Sequence, residues 1–170
     1  MIADILVWLL IILISVLAGR DDWRRMQIPN EHSLVLLLIF PLAAYSEACV
    51  TLIPGLIAGG LTLFVGLLLY IARVMGGGDV KFMSAMALYM GLEVGLRYVL
   101  TMLLAGGILA LLALYLRRHP ERIPAIMPPE SWLGRLRQDR GAPLPYGLAI
   151  GFAAIVTYGY ALSKYYFFYL

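Results

Sequence analysis

Two short stretches set carboxylates beside apolar segments. Gly76-Gly77-Gly78-Asp79-Val80-Lys81 stands between two strongly apolar segments, and Asp22-Trp23-Arg24-Arg25-Met26-Gln27-Ile28-Pro29-Asn30 closes another. An ionisable carboxylate at the mouth of an apolar segment is costly, so it marks a functional site by default. If the two span ends are neighbours, Asp22 and Asp79 can share a proton. Like charges in a poorly solvated place cannot both ionise cheaply, so one pKa rises and the pair titrates jointly. One member then takes a proton from water while the other protonates a scissile carbonyl oxygen, the division of labour in aspartic proteases. The glycines fit this reading. Peptide hydrolysis needs an extended substrate, and a run of residues without Cβ can leave the helix and admit a substrate backbone beside Asp79. On the chemistry alone a plainer reading stays open, in which both aspartates cap spans or pair with Arg24, Arg25 or Lys81.

The elements that must position these residues are membrane helices. Of 170 residues, 62% are hydrophobic and 14% charged, with a mean hydropathy of +0.89. A soluble domain carries roughly 25% charged residues. The composition therefore predicts an all-α integral membrane protein, with residues 1–170 as a single membrane-embedded domain. Apolar windows long enough to cross a bilayer fall at 2–19, 33–50, 52–74, 80–93, 95–116 and 145–167. Residues 80–116 as one helix would measure about 55 Å, too long for one crossing. Gly91-Leu92-Glu93-Val94-Gly95 is the natural place to turn, which gives about six transmembrane helices. Residues 2–19 do not read as a secretory signal, because Asp4 precedes the apolar run and Arg20, Arg24 and Arg25 follow it.

Charge sets the orientation. Segments 20–32, 73–81 and 117–144 fall on one side of a six-span chain and hold all but Arg97 and Lys164 of the 13 basic residues. Basic loops stay cytoplasmic, so Asp22 and Asp79 belong near the cytoplasmic face, with the amino terminus outside. The net charge of +3 is then a topology signal rather than a nucleic-acid footprint. One cysteine, Cys49, and two histidines, His32 and His119, argue against a disulfide or a dedicated transition-metal site. Cys49 falls on the opposite side from the aspartates, so no Cys-His nucleophile competes. No cofactor or metal is expected.

Residues 117–144 form the one sizeable loop, basic and broken by Pro120, Pro124, Pro128 and Pro129. Within it, 130–137 can make a short helical turn with Trp132, Leu133 and Leu136 near one face. That face could lie on the membrane surface, or the loop could simply be solvated. The small-residue spacing Gly55/Gly59 and the patch Ala105-Gly106-Gly107 read as helix packing. The tail 165–170, rich in Tyr and Phe, reads as an interfacial anchor.

These motifs carry a resemblance. Gly76-Gly77-Gly78-Asp79 fits a GxGD signature, and Asp79-Val80-Lys81 extends it as prepilin peptidases do. Asp22-x-Arg24-x-x-x-Ile28-Pro29-Asn30 is similar to the first aspartate motif of that family, and Pro145-Tyr146-Gly147 to the start of its last span. The resemblance implies a multi-pass aspartyl endopeptidase of the bacterial inner membrane. It would remove short basic leaders from pilin-like precursors (prepilins and pseudopilins) at the cytoplasmic face. It implies Asp22 and Asp79 as the catalytic pair, with Gly76, Gly78, Lys81, Arg24, Pro29 and Asn30 supporting the substrate or the motifs. Asp21 is one residue out of register and ranks second. The longer relatives carry a cytoplasmic domain with paired cysteines and also methylate the new amino terminus, and this chain has neither. It therefore resembles the short type that serves Flp-like (tight-adherence) pili, with the precursor, the bilayer and the pilus-assembly machinery as partners. Two other classes stand beside this one. Signal-peptide-peptidase relatives share GxGD, but place Tyr-Asp in their first motif. A non-enzymatic scaffold or transport subunit would need polar groups at mid-membrane depth, where these spans offer few beyond Ser15, Thr62 and Thr101.

Overall fold

The computed structural model describes residues 2–45, 51–124, 126–139 and 141–169, with side chains as far as residue 164. Cys49, Arg140 and the side chains of the aromatic tail 165–170 lie outside the described residues. The described chain is helical throughout its regular structure: α1 (Ile2–Arg25), α2 (Asn30–Tyr45), α3 (Leu52–Ile71), α4 (Gly77–Arg118), α5 (Trp132–Gln138) and α6 (Tyr146–Tyr169), with a 3₁₀ turn at Pro120–Arg122. Four helices, α1, α3, α4 and the Tyr146–Lys164 part of α6, are long and apolar enough to cross a membrane. α2 is a shorter apolar helix. The result is a polytopic helical membrane bundle.

The length of α4, 42 residues, conceals a hairpin. Gly91 adopts φ 58° and ψ −171°, a combination essentially confined to glycine, and the helix breaks there. In a straight helix residues 83 and 98 would be about 22 Å apart. Instead the Tyr98 hydroxyl lies 3.5 Å from the Met83 carbonyl, so the second arm runs back along the first. The expected turn is where the sequence placed it. With α4 divided, the helices give the six apolar segments read from the sequence.

The first arm of α4 is the centre of the bundle. Nearly every residue from Phe82 to Gly91 is buried, as expected of a helix surrounded by others. α3 lies against it through Gly55, Ala58, Gly59 and Gly66, where a Cβ at Gly55 would come within 2.5 Å of the Leu88 carbonyl oxygen. The small residues of α3 are therefore a packing stripe, as the spacing suggested, and its leucines face outward. α2 is held by the Tyr89 hydroxyl, which donates to the Leu36 carbonyl at 2.6 Å in the turn before Pro41. α1 and α6 pack together where Gly151 meets Ser15, and where the Trp8 indole donates to the Ile155 carbonyl at 3.3 Å.

Within loop 117–144 the apolar face of α5 is turned into the protein. Ser131 caps α5 by accepting the Gly134 N–H at 3.2 Å. The face with Trp132 and Leu136 is buried against Ala113, Ile123 and Ala142, and Trp132 meets the Trp23 ring edge-on at 5.3 Å between centroids. The Arg135 guanidinium donates to the Arg24 carbonyl at 3.2 Å. The apolar face had a partner within the protein, so the loop forms a small second core over the end of α1 that carries Asp22.

Candidate active site

The apolar part of α1 ends near Gly19, and the helix continues for about a turn and a half with Arg20 to Arg25. Asp22 lies in this polar extension, with a side chain turned inward and only 4% of the residue exposed. The extension ends at Met26, which takes a left-handed φ of 55° and donates its N–H to the Asp22 carbonyl at 2.8 Å. Gln27, Ile28 and Pro29 then cross to α2, where Asn30 opens the next helix.

Asp79 sits at the opposite kind of helix end. Gly76 is the N-cap residue of α4, and Gly77, Gly78 and Asp79 form its first turn. The carboxylate reaches back to the Gly76 backbone N–H, the return half of a capping box. The structure divides the run: Gly76 lies outside the helix in the extended region, with φ −72° and ψ 148°, whereas Gly77 and Gly78 are helical, and none of the three has a positive φ. Gly78 instead allows a close approach within the chain, since a Cβ there would lie 3.0 Å from the Ile28 carbonyl oxygen. The glycine run brings the Ile28-Pro29 crossing against the start of α4.

Both carboxyl groups line one cavity of about 1120 Å³ at this end of the bundle. Pro29, Asn30, Gly76, Gly78 and Tyr146 share its wall. Asp22 is held from a distance in sequence: its Oδ2 accepts the Gly147 N–H, 2.7 Å away, from the first turn of α6. N–H groups in a first turn have no partner inside the helix, so this donor is free to serve a carboxylate. Burial pushes the Asp22 carboxyl up from the ordinary aspartate range; the Gly147 N–H opposes the shift and the charge of Asp79 adds to it. Burial likewise raises Asp79, against the pull of the Gly76 N–H. Two carboxyls raised by burial, one within reach of the other's field, can hold a single proton between them at a pH where free aspartates hold none.

Among the described residues, neither aspartate has an ion pair with Arg24, Arg25 or Lys81. Lys81 instead donates to the Asn30 side-chain oxygen at 3.0 Å, and this bond ties the start of α2 to the start of α4. Arg24 and Lys81 are exposed and stand outside the cavity wall. Asp21 points elsewhere and meets His32 Nε2 at 2.9 Å.

The sequence profile of the type IV leader peptidase family matches residues 5–114, more than half of the chain and including both aspartate motifs. The chain belongs to this family. It is thus a peptidase of the leader-peptidase type, and Asp22 and Asp79 both lie within the matched segment and line one cavity. No curated protein and no solved structure matches the chain.

The matched segment ends within α4, yet the site does not. The donor to Asp22 comes from α6, and Arg117, Ala142 and Tyr146 complete the wall. From the sequence, Pro145-Tyr146-Gly147 reads only as the start of a span, and the small patch at Gly106 only as packing. In the structure a Cβ at Gly106 would come within 2.5 Å of the Tyr146 ring, so the patch seats a wall residue of the cavity. Arg25, Glu31 and Arg117 also line it, and nothing in their local sequence distinguished them from ordinary positive-inside or helix-end charges.

Proposed function

We propose that this protein is a membrane aspartyl endopeptidase that cleaves the short basic leader from pilin-like precursors at the cytoplasmic face of the bacterial inner membrane. The observation that carries the reading is the presence of Asp22 and Asp79 in one cavity, each held by a backbone N–H and neither ion-paired to a cation among the described residues. In the singly protonated pair, the ionised carboxylate takes a proton from the attacking water. The protonated partner gives its proton to the carbonyl oxygen of the scissile bond. As the C–N bond of the tetrahedral species breaks, the first carboxyl returns its proton to the departing amine. The second takes one back from a hydroxyl, which frees the leader as a carboxylic acid and restores the pair. The basic residues at this end of the bundle favour a cytoplasmic site, with the amino terminus on the far side. The short basic loop over the site, without paired cysteines, favours the Flp-like class of precursors and no methylation of the new amino terminus.

Co-expression with an Flp-type precursor tests the reading. Wild-type protein should shorten the precursor by its leader, and Asp22→Ala or Asp79→Ala should leave it intact while still inserting in the membrane. Full-length precursor beside abundant wild-type protein would count against this substrate class. Reporter fusions near residues 25, 77 and 130 should read cytoplasmic, and a periplasmic signal at 130 would overturn the orientation.

A further inference from the structure

The cavity holds a charge that the catalytic pair does not use. Arg117, in the last turn of α4, lines the same cavity as Asp22 and Asp79 and is half-buried. One guanidinium nitrogen donates to the Ala142 carbonyl at 2.7 Å, while its Nε is buried with no hydrogen-bond partner. No carboxylate lies within ion-pair distance of Arg117 among the described residues, and it is not among the charges that act on Asp22 or Asp79. A guanidinium presents five donors in a rigid fork suited to a carboxylate. Here the fork is fixed to the loop at one corner and left without an anion. Arg25, which also lines the wall, is exposed.

We propose that Arg117 is a specificity-determining residue that receives an acidic side chain of the peptide substrate while the scissile bond lies between Asp22 and Asp79. The assignment rests on the endopeptidase reading above. It follows from charge: a basic leader is drawn to Asp22, Asp79 and Glu31, and an unpaired guanidinium in the same cavity rejects a second basic group and accepts an acidic one. An acidic residue on one side of the cleavage point and basic residues on the other would then fix the direction in which the peptide lies. A charge-assisted contact of this type, formed in a half-buried place, changes recognition by roughly tenfold or more.

The test uses full-length protein in neutral detergent and a precursor peptide with a basic leader and an otherwise uncharged flank. A glutamate is moved one position at a time along the residues flanking the scissile bond, with glutamine as the control at each. Cleavage of the glutamine peptides establishes the endopeptidase reading by itself, so its failure is separate from failure of the specificity assignment. Wild-type protein should prefer glutamate roughly tenfold in kcat/KM at one position and be indifferent elsewhere. Arg117→Gln should lose that preference, Arg117→Lys should keep part of it, and Arg117→Glu should prefer lysine at that position. Melting temperatures of the variants separate loss of fold from loss of preference. A wild-type protein without a preferred glutamate position would overturn the proposal without any variant. So would an Arg117→Gln protein that keeps the preference. An Arg117 effect equal for all peptides and present only with anionic-lipid vesicles would assign the arginine to a lipid phosphate, and would overturn it too.

Discussion

Asp22 stands in the last turn of its helix, where carbonyl groups and the negative end of the dipole are unfavourable to a carboxylate. Asp79 stands in a first turn, where free N–H groups and the positive end favour one. Asp79 is served by Gly76, three residues away, whereas Asp22 depends on Gly147 of α6. The difference teaches that one half of the pair is built locally and the other by tertiary structure. The fold can lose the geometry of Asp22 while keeping that of Asp79, because only Asp22 needs α1 and α6 to meet in register.

Substitutions at the two supporting glycines should expose this asymmetry. A Cβ at Gly147 would come within 2.9 Å of Asp22 Oδ2 and 2.7 Å of the Ile28 side chain, squeezing the carboxylate from its donor. Gly147→Ala should lower kcat about a hundredfold, the scale of a displacement of roughly an ångström in a catalytic group. A Cβ at Gly76 would meet only the end of the Asp79 side chain, at 2.9 Å, which can rotate away. Gly76→Ala should cost about tenfold, and equal losses at the two glycines would break the comparison. Steady-state cleavage by the purified variants reads both.

Gly78 sharpens the point. Its neighbour is a backbone oxygen, which has no rotamer to change, so Gly78→Ala should lower cleavage and melting temperature together. Gly77, whose nearest neighbour is the Tyr70 ring at 3.4 Å, should tolerate alanine with a mild loss in both. An unchanged melting temperature with lost activity at Gly78 would return the glycine to a role against substrate.

The shifted carboxyls predict a pH signature in stability. Each is raised by folding, so between the ordinary carboxylate range and the raised value the unfolded chain releases its proton first. The fold therefore loses stability as pH rises through that window. Asp22→Asn and Asp79→Asn remove the loss. Each variant should melt higher than the parent at about pH 8, and the gain should vanish near pH 4 where the parent carboxyls are protonated. A gain that persists at low pH would point to packing instead.

The smallest effect is expected at Asp21. Its partner His32 lies on the α2 side, away from the cavity, so Asp21→Ala should keep cleavage within about twofold and cost about 1 kcal/mol or less. Leader cleavage and thermal melts of this variant beside Asp22→Ala decide which of the adjacent aspartates belongs to the pair.

What the sequence made legible follows the same division. The helical bundle, the break at Gly91, the packing stripe of α3 and the local Asp79 motif all rest on short-range patterns or hydropathy, and each is readable in a window of a few residues. The Gly147–Asp22 bond, the inward turn of Trp132 onto Trp23 and the seating of Tyr146 on Gly106 join residues far apart in the chain. No local pattern encodes them. The packing role of Gly78 was hidden for a related reason: a glycine signals room, and only the fold shows that Ile28 of the same chain lies against this one.

The central claim is that Asp22 and Asp79 act as one unit, and a double-mutant comparison tests it most directly. Purified Asp22→Asn, Asp79→Asn and the double variant are assayed on the same precursor, with the wild type alongside. Groups that share a proton fail together, so each single variant should fall by about a thousandfold or more, and the double variant should be no slower than either single one. Losses that multiply in the double variant, or near-normal cleavage by either single variant, would contradict a shared-proton pair.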